Sequence, residues 1–245
     1  MRKTHVWLGA LAAVVFLVAG CTVREELHVE ADGSGTATVD IAVHPIMAAY
    51  YNDLLIAMTG VEGEYPLFDP VQIEESFAAR PGIRLVSLRQ ESRLELTVVA
   101  AFDDLNDVFP ADAAASSVLA FEQEGSTRTL RIRLDRAAVD RFLSFAPEET
   151  ATMSEFLFPP VDGSVSREEF RDQMAWALEE YADPAVVTEV LETAEIAVVV
   201  RPEGDIVSQI GGRIVGETVV FHVPVLDILT ITGEQIYSVT FEPRG

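Results

Sequence analysis

The sequence predicts an α+β fold: a mostly antiparallel β-sheet built from hairpins, with helices packed on one face. Three observations predict it. Alternating apolar and polar runs come in pairs around Gly-containing turns, the pattern of β-hairpins. Between the pairs stand segments with apolar residues at helical spacing and recognisable start signals. Alternating runs also lie near both ends of the chain, so the terminal segments are expected to join one sheet.

Taken in order, residues 23–30 alternate weakly, with Leu27 and Val29 on one face, and Asp32-Gly33-Ser34-Gly35 follows as a turn. Residues 36–43 alternate cleanly, with Ala37, Val39, Ile41 and Val43 opposite Thr36, Thr38 and Asp40. These two runs make the first hairpin. Pro45 opens a helix over 46–58 that is apolar nearly all round, a pattern that predicts burial on more than one side. Residues 71–79 form a short helix. Residues 83–90 and 93–102 make the second hairpin, in which Leu94, Leu96, Val98, Ala100 and Phe102 share a face. A helical turn over 103–109 leads to a third hairpin, 117–123 with 127–135, where Leu130, Ile132 and Leu134 point one way and Arg131 and Arg133 the other. Residues 137–160 read as helical and then aromatic, closed by Pro159-Pro160. Ser166-Arg167-Glu168-Glu169 fits a capping box and opens a helix to about Ala182. Asp183-Pro184 stops it and starts another to Thr193, and strands follow over 195–201, 212–215, 217–223 and 235–242.

The first twenty residues have a different character. Arg2 and Lys3 precede an uncharged apolar run over 6–19, the length of a signal-peptide core and short for a membrane span of about 20 residues. The run ends in Leu17-Val18-Ala19-Gly20-Cys21, and Cys21 is the sole cysteine of the chain. Small residues before the cut suit a peptidase that takes extended chain, and the thiol can accept a diacylglyceryl group. The motif resembles the lipobox of bacterial lipoproteins. The expected organisation is therefore a lipoprotein signal peptide over 1–20 and a single lipid-anchored extracytoplasmic domain over 21–245. Its destination is the cell membrane or an outer membrane, and Thr22 after the cysteine favours the outer one in a two-membrane host.

Composition narrows the partners. The chain of 245 residues is 49% hydrophobic, so it can build a real core. Its net charge of −23 becomes −25 once Arg2 and Lys3 are removed, and Lys3 is the only lysine. Such a field repels phosphate, so nucleic acid is excluded as a partner. The same lysine-free, acidic balance is read either as coding bias or as adaptation to salt.

No motif for catalysis or a cofactor emerges. A P-loop needs a lysine after its glycines, and Gly33-Ser34-Gly35 lacks the spacing of a serine-hydrolase elbow. His28, His44 and His222 are scattered, so no metal site is expected. With 40 acidic residues, doublets such as Glu25-Glu26 arise by chance and carry no signal. Asp103-Asp104-Leu105-Asn106-Asp107 lacks the pattern of a calcium loop. Arg93, Arg131 and Arg133 fall on polar faces of neighbouring hairpins, where they either pair with glutamates or form a small anion-binding patch. Trp176 lies opposite the stripe of Phe170, Met174, Leu178 and Tyr181, either covered by a second element or exposed as an anchor for a partner. Phe142, Phe145, Phe156 and Phe158 either pack into the core or flank an apolar cleft.

The mature pattern also resembles a family of bacterial lipoproteins typified by mycobacterial LppM. The likeness is carried by Leu27-His28-Val29-Glu30-Ala31-Asp32-Gly33-Ser34-Gly35-Thr36, by Val198-Val199-Val200-Arg201-Pro202-Glu203-Gly204, and by Gly211-Gly212-Arg213-Ile214-Val215-Gly216-Glu217-Thr218. The middle of the chain, 45–184, lies outside it. The resemblance implies an α/β domain without enzymatic activity that binds lipid or glycolipid. The sequence-based expectation is a non-catalytic envelope lipoprotein that binds a lipid-like ligand or an envelope protein, with Phe142, Phe145, Phe156, Phe158, Trp176, Arg131 and Arg133 as candidate contacts. The alternative is a carboxylate-dependent envelope hydrolase.

Overall fold

The computed structural model describes residues 21–108, 118–139, 159–160 and 163–244. Strands β1 (Cys21–Val29) and β2 (Gly35–Val43) form the first hairpin, in register from Cys21↔Val43 to Val29↔Gly35. Its turn is closed by Asp32, whose carboxylate accepts from the Ser34 backbone N–H at 2.9 Å. Gly33 adopts φ +95°, which favours glycine, and a Cβ on Gly35 would lie 2.0 Å from the His28 carbonyl oxygen. The second hairpin is β3 (Ile83–Ser92) with β4 (Glu95–Phe102), and the third is β5 (Leu119–Glu124) with β6 (Thr127–Leu134). Later strands are β7 (Glu195–Pro202), β8 (Gly204–Ile210), β9 (Arg213–Val215), β10 (Thr218–Pro224) and β11 (Gln235–Pro243).

These strands build two sheets. Seven run in the order β3-β4-β2-β1-β7-β10-β9, and four in the order β5-β6-β11-β8. The β1–β7 pair is parallel, and the other pairs among the described strands are antiparallel. The two chain ends were expected in one sheet; instead β1 lies in the larger and β11 in the smaller. The cause is the bend at Pro202-Glu203-Gly204. There the chain leaves the first sheet and β8 pairs with β11, with Gly204 so close that a Cβ would lie 2.3 Å from the Glu242 carbonyl oxygen. The chain returns through Gly211-Gly212 to β9, and Gly212 packs equally tightly against the Phe221 ring.

Six helices lie wholly within the described residues: α1 (Pro45–Thr59), α2 (Pro70–Ala78), α3 (Leu105–Val108), α4 (Arg167–Ala177), α5 (Pro184–Thr193) and α6 (Val225–Leu229). Asp69 and Asp183 cap α2 and α5 ahead of prolines at the first helical turn. Ser166 and Glu169 complete the predicted capping box of α4 in both directions. The helices bury Met47, Phe77, Leu105, Phe170, Leu191 and Leu226 in the same core as Leu27, Val29, Ile41, Leu96, Val200 and Phe221 of the larger sheet. Thr22, Arg24, Glu26 and His28 are exposed on that sheet's other face. Phe121, Leu130 and Phe241 bring the smaller sheet into the core, and Phe221 meets Tyr237 edge-on at 5.6 Å across the two sheets. Each fully buried side chain of this size contributes about 1.5–3 kcal/mol.

Helix α1 departs from expectation. It is not buried on more than one side: Met47 and Ala48 are buried, whereas Tyr50, Tyr51, Leu54, Leu55 and Ile56 are half-buried and Met58 is exposed. Its apolar residues surround the helix, so any single contact leaves the rest uncovered. The Tyr181 hydroxyl, which donates to Asp53 at 2.8 Å, and the Tyr50–Tyr181 edge contact tether it to the segment after α4.

Candidate functional site

The alternation of β1 places Cys21, Val23, Glu25, Leu27 and Val29 on the inward face of the larger sheet. Four of these are apolar and buried. The fifth, Glu25, stands between Val39 of β2 and Val198 of β7. It lines a cavity of about 50 Å³ between the sheet and the elements packed over it. Leu27, Ala37, Val39, Val98, Ala100 and Phe102 form the sheet side, and Phe77, Arg80, Leu105, Val108 and Leu119 the cover.

Glu25 and Arg80 are the ionisable residues among those lining the cavity. Glu25 is half-buried. It makes no hydrogen bond or ion pair with the described residues, and burial pushes its carboxyl up to about 7. Arg80 follows the C-terminal cap of α2. Desolvation lowers its guanidinium from the ordinary value, and it too lacks a side-chain partner among the described residues. It nonetheless stays charged, because an arginine does not deprotonate in proteins. The site thus offers one cation and one easily protonated acid inside apolar walls.

A second depression of about 440 Å³ lies at the end of the first hairpin. Cys21, Thr22, Ala42 and Val43 line it with His44 and Pro45 at the start of α1, and Val186, Glu189, Val190, Thr193 and Ala194 on and after α5. Cys21 is fully buried here and is not in a disulfide.

Of the candidate contacts from the sequence, Arg131, Arg133 and Trp176 lie among the described residues. Arg131 and Arg133 lie on the face of β6 opposite Leu130, Ile132 and Leu134, away from the core. Arg131 grips Glu122 with two hydrogen bonds of 2.8 and 3.3 Å, and Arg133 pairs with Asp135 at 3.0 Å and Glu234 at 2.5 Å. Arg93 belongs to the other sheet's hairpin and pairs with Glu64, so the three arginines share no patch. Trp176 is 72% exposed on α4. Phe142, Phe145, Phe156 and Phe158 lie outside the described residues. Among the described residues no group of three or more His, Cys, Asp or Glu side chains gathers as a metal site, and no helix is long and apolar enough to cross a membrane.

Glu25 and Arg80 were missed as functional candidates. Glu25 was dismissed with Glu26 as a chance doublet. Its signal is the apolar row itself: extending the alternation back to Cys21 puts an acid where every other member is apolar. Arg80 carries no comparable signal, because only the tertiary fold brings it over the sheet.

No family model and no curated protein matches the chain. Among solved structures, it is similar to the folded domain of LppM from Mycobacterium tuberculosis, determined by NMR. The two are 12% identical, with 92% of this chain and 91% of that one covered and a TM-score of 0.37.

Proposed function

We propose that this chain is an envelope lipoprotein, tethered through lipid on Cys21, whose folded domain is a binding module for an amphipathic ligand and not an enzyme. The observation that carries the anchor is Leu17-Val18-Ala19-Gly20-Cys21 at the end of the apolar leader. Cys21 belongs to β1, so a lipid on it holds the first hairpin and the neighbouring α5 close to the membrane. Cys21 is among the residues that line the groove of about 440 Å³.

Binding rather than hydrolysis is supported by the interior cavity. Carboxylate-dependent hydrolysis uses two converging acids. The cavity is lined by one, facing apolar side chains and a guanidinium, which suits recognition of a molecule with a polar end and an apolar body.

Cys21→Ala tests the anchor. With a palmitate analogue supplied to the host, the wild type is expected to incorporate label and partition with membranes. The variant is expected to stay unlabelled as an uncleaved or mislocalised precursor. Label retained by the variant overturns the anchor.

A further inference from the structure

We propose that the cavity between the larger sheet and α2 binds the carboxylate end of an apolar monocarboxylic acid, held between the Arg80 guanidinium and the carboxyl of Glu25. The proposal deepens the binding-module reading and rests on it.

The first reason is how this molecule treats its other half-buried arginines. Arg93, Arg131, Arg133, Arg167 and Arg171 each pair with a carboxylate, and Arg128 and Arg136 donate to backbone carbonyls, while Arg84, Arg201 and Arg213 stand exposed to water. In so acidic a chain a partner is easy to supply, yet Arg80 is partly desolvated without one among the described residues. A cation withdrawn from water and left unpaired is costly, and a ligand carboxylate removes that cost through the paired N–H donors of the guanidinium. The second reason is Glu25. It lines the same cavity, half-buried and equally without a partner among the described residues. As an acid its O–H can donate to a ligand oxygen, so both orphan groups are satisfied by one carboxylate. The third reason is the wall. Leu27, Val39, Phe77, Val98, Phe102 and Leu119 offer only apolar surface, which suits an alkyl body. A ligand amine would meet Arg80 with like charge, and an alcohol would leave the guanidinium unneutralised.

Size divides the sources of this chemistry. A cavity of about 50 Å³ has room for three or four waters, at roughly 10–15 Å³ each. Benzene, with six heavy atoms, occupies a cavity of about 150 Å³, so a short acid requires a small movement of the Phe77 and Val108 cover and the end of a fatty acid a larger one.

The test uses the full chain in lipid nanodiscs, with empty nanodiscs as the blank, titrated calorimetrically at about pH 6, mildly acidic so that Glu25 is protonated. The probes are butyrate, hexanoate, octanoate and decanoate, with hexylamine and hexanol matched to hexanoate. The expected result is saturable binding of acid at least about tenfold tighter than amine or alcohol, a gap of about 1.4 kcal/mol. Affinity highest for butyrate or hexanoate identifies a short acid, and affinity still rising at decanoate identifies a fatty-acid end. Arg80→Gln is expected to weaken binding about tenfold or more. Glu25→Gln, which keeps an N–H donor, is expected to bind, whereas Glu25→Leu is not. Circular dichroism checks folding, and the wild-type probe series decides the matter even where a variant unfolds. Tighter binding of hexylamine overturns the carboxylate assignment and leaves the binding module standing. Wild-type protein that binds none of the six probes overturns the site, and so does undiminished binding by folded Arg80→Gln.

Discussion

Glu192 and Glu25 are the same residue in opposite circumstances. Glu192 of α5 accepts from Arg167 at 3.0 and 2.5 Å and from Arg171 at 3.3 Å, and this pairing holds its carboxyl below the ordinary value. Arg167 also reaches Asp227, so the network ties α4, α5 and α6 together. Glu25 has no such partner among the described residues, and burial holds its carboxyl above the ordinary value. The difference shows where this protein spends its cations. Arginines are used to fasten helices and strand faces at the surface, while the one acid in the central apolar row is left to neutralise itself by protonation.

The largest expected effect separates the two environments by pH. A carboxyl raised from 4.5 to about 7 means that the folded state holds a proton which the unfolded state has released. Stability contributed by protonated Glu25 is therefore full below pH 4.5, declines as pH rises towards about 7, and is absent above that. The shift corresponds to at most about 3 kcal/mol. Denaturant unfolding of wild type and Glu25→Gln at both ends of this window is expected to show the wild type losing stability relative to the variant as pH rises. Parallel curves would mean that Glu25 reaches solvent and titrates normally.

A smaller effect is expected from the paired side. Arg167→Ala removes a two-pronged, half-buried ion pair and leaves Glu192 to Arg171 alone. A loss of about 1–2 kcal/mol is expected, measured by thermal or chemical unfolding, and it shrinks in about 1 M NaCl as screening weakens what remains. Loss of the same size at all salt concentrations would assign the effect to packing of the arginine stem.

The smallest effect belongs to Trp176. At 72% exposed it adds little to the core, so Trp176→Ser is expected to change stability by less than about 0.5 kcal/mol. A loss well above 1 kcal/mol would mean that something covers the ring in solution.

What was legible in the sequence was local. The three hairpins, the capping box at Ser166 and the start of α5 at Asp183-Pro184 each depend on residues a few positions apart, and each lies where the pattern indicated. The helix opened at Ser166 was expected to run to about Ala182; it ends at Ala177, and turns fill the interval before Asp183. What was illegible depended on distant partners. Strand β8 pairs with β11, about thirty residues later, across a register shift at Thr240/Phe241, so its own residues do not alternate cleanly. Helix α6, at five residues, is too short for periodicity to register. Arginine pairing was visible only as an alternative, because the glutamates that settle it come from β5 and the loop before β11.

The parallel seam between β1 and β7 has a consequence for how the domain is assembled. Strands β3, β4, β2 and β1 all come from residues 21–102, and β7, β10 and β9 from 195–224. Each group can pair by short closures, but β1 must wait for β7. Ala31 and Glu203, hydrogen-bonded beside that seam, stand 172 positions apart. Long closures delay pairing, so the first group exists for a time with an unpaired edge at β1. Such an edge invites wrong partners. Pulsed hydrogen exchange during refolding is expected to protect the amides shared by β2 and β4 before those shared by β1 and β7; simultaneous protection would mean the two groups form as one. A chain made from its N-terminus therefore spends the synthesis of its whole middle stretch with a half-built sheet open along the strand that begins at Cys21.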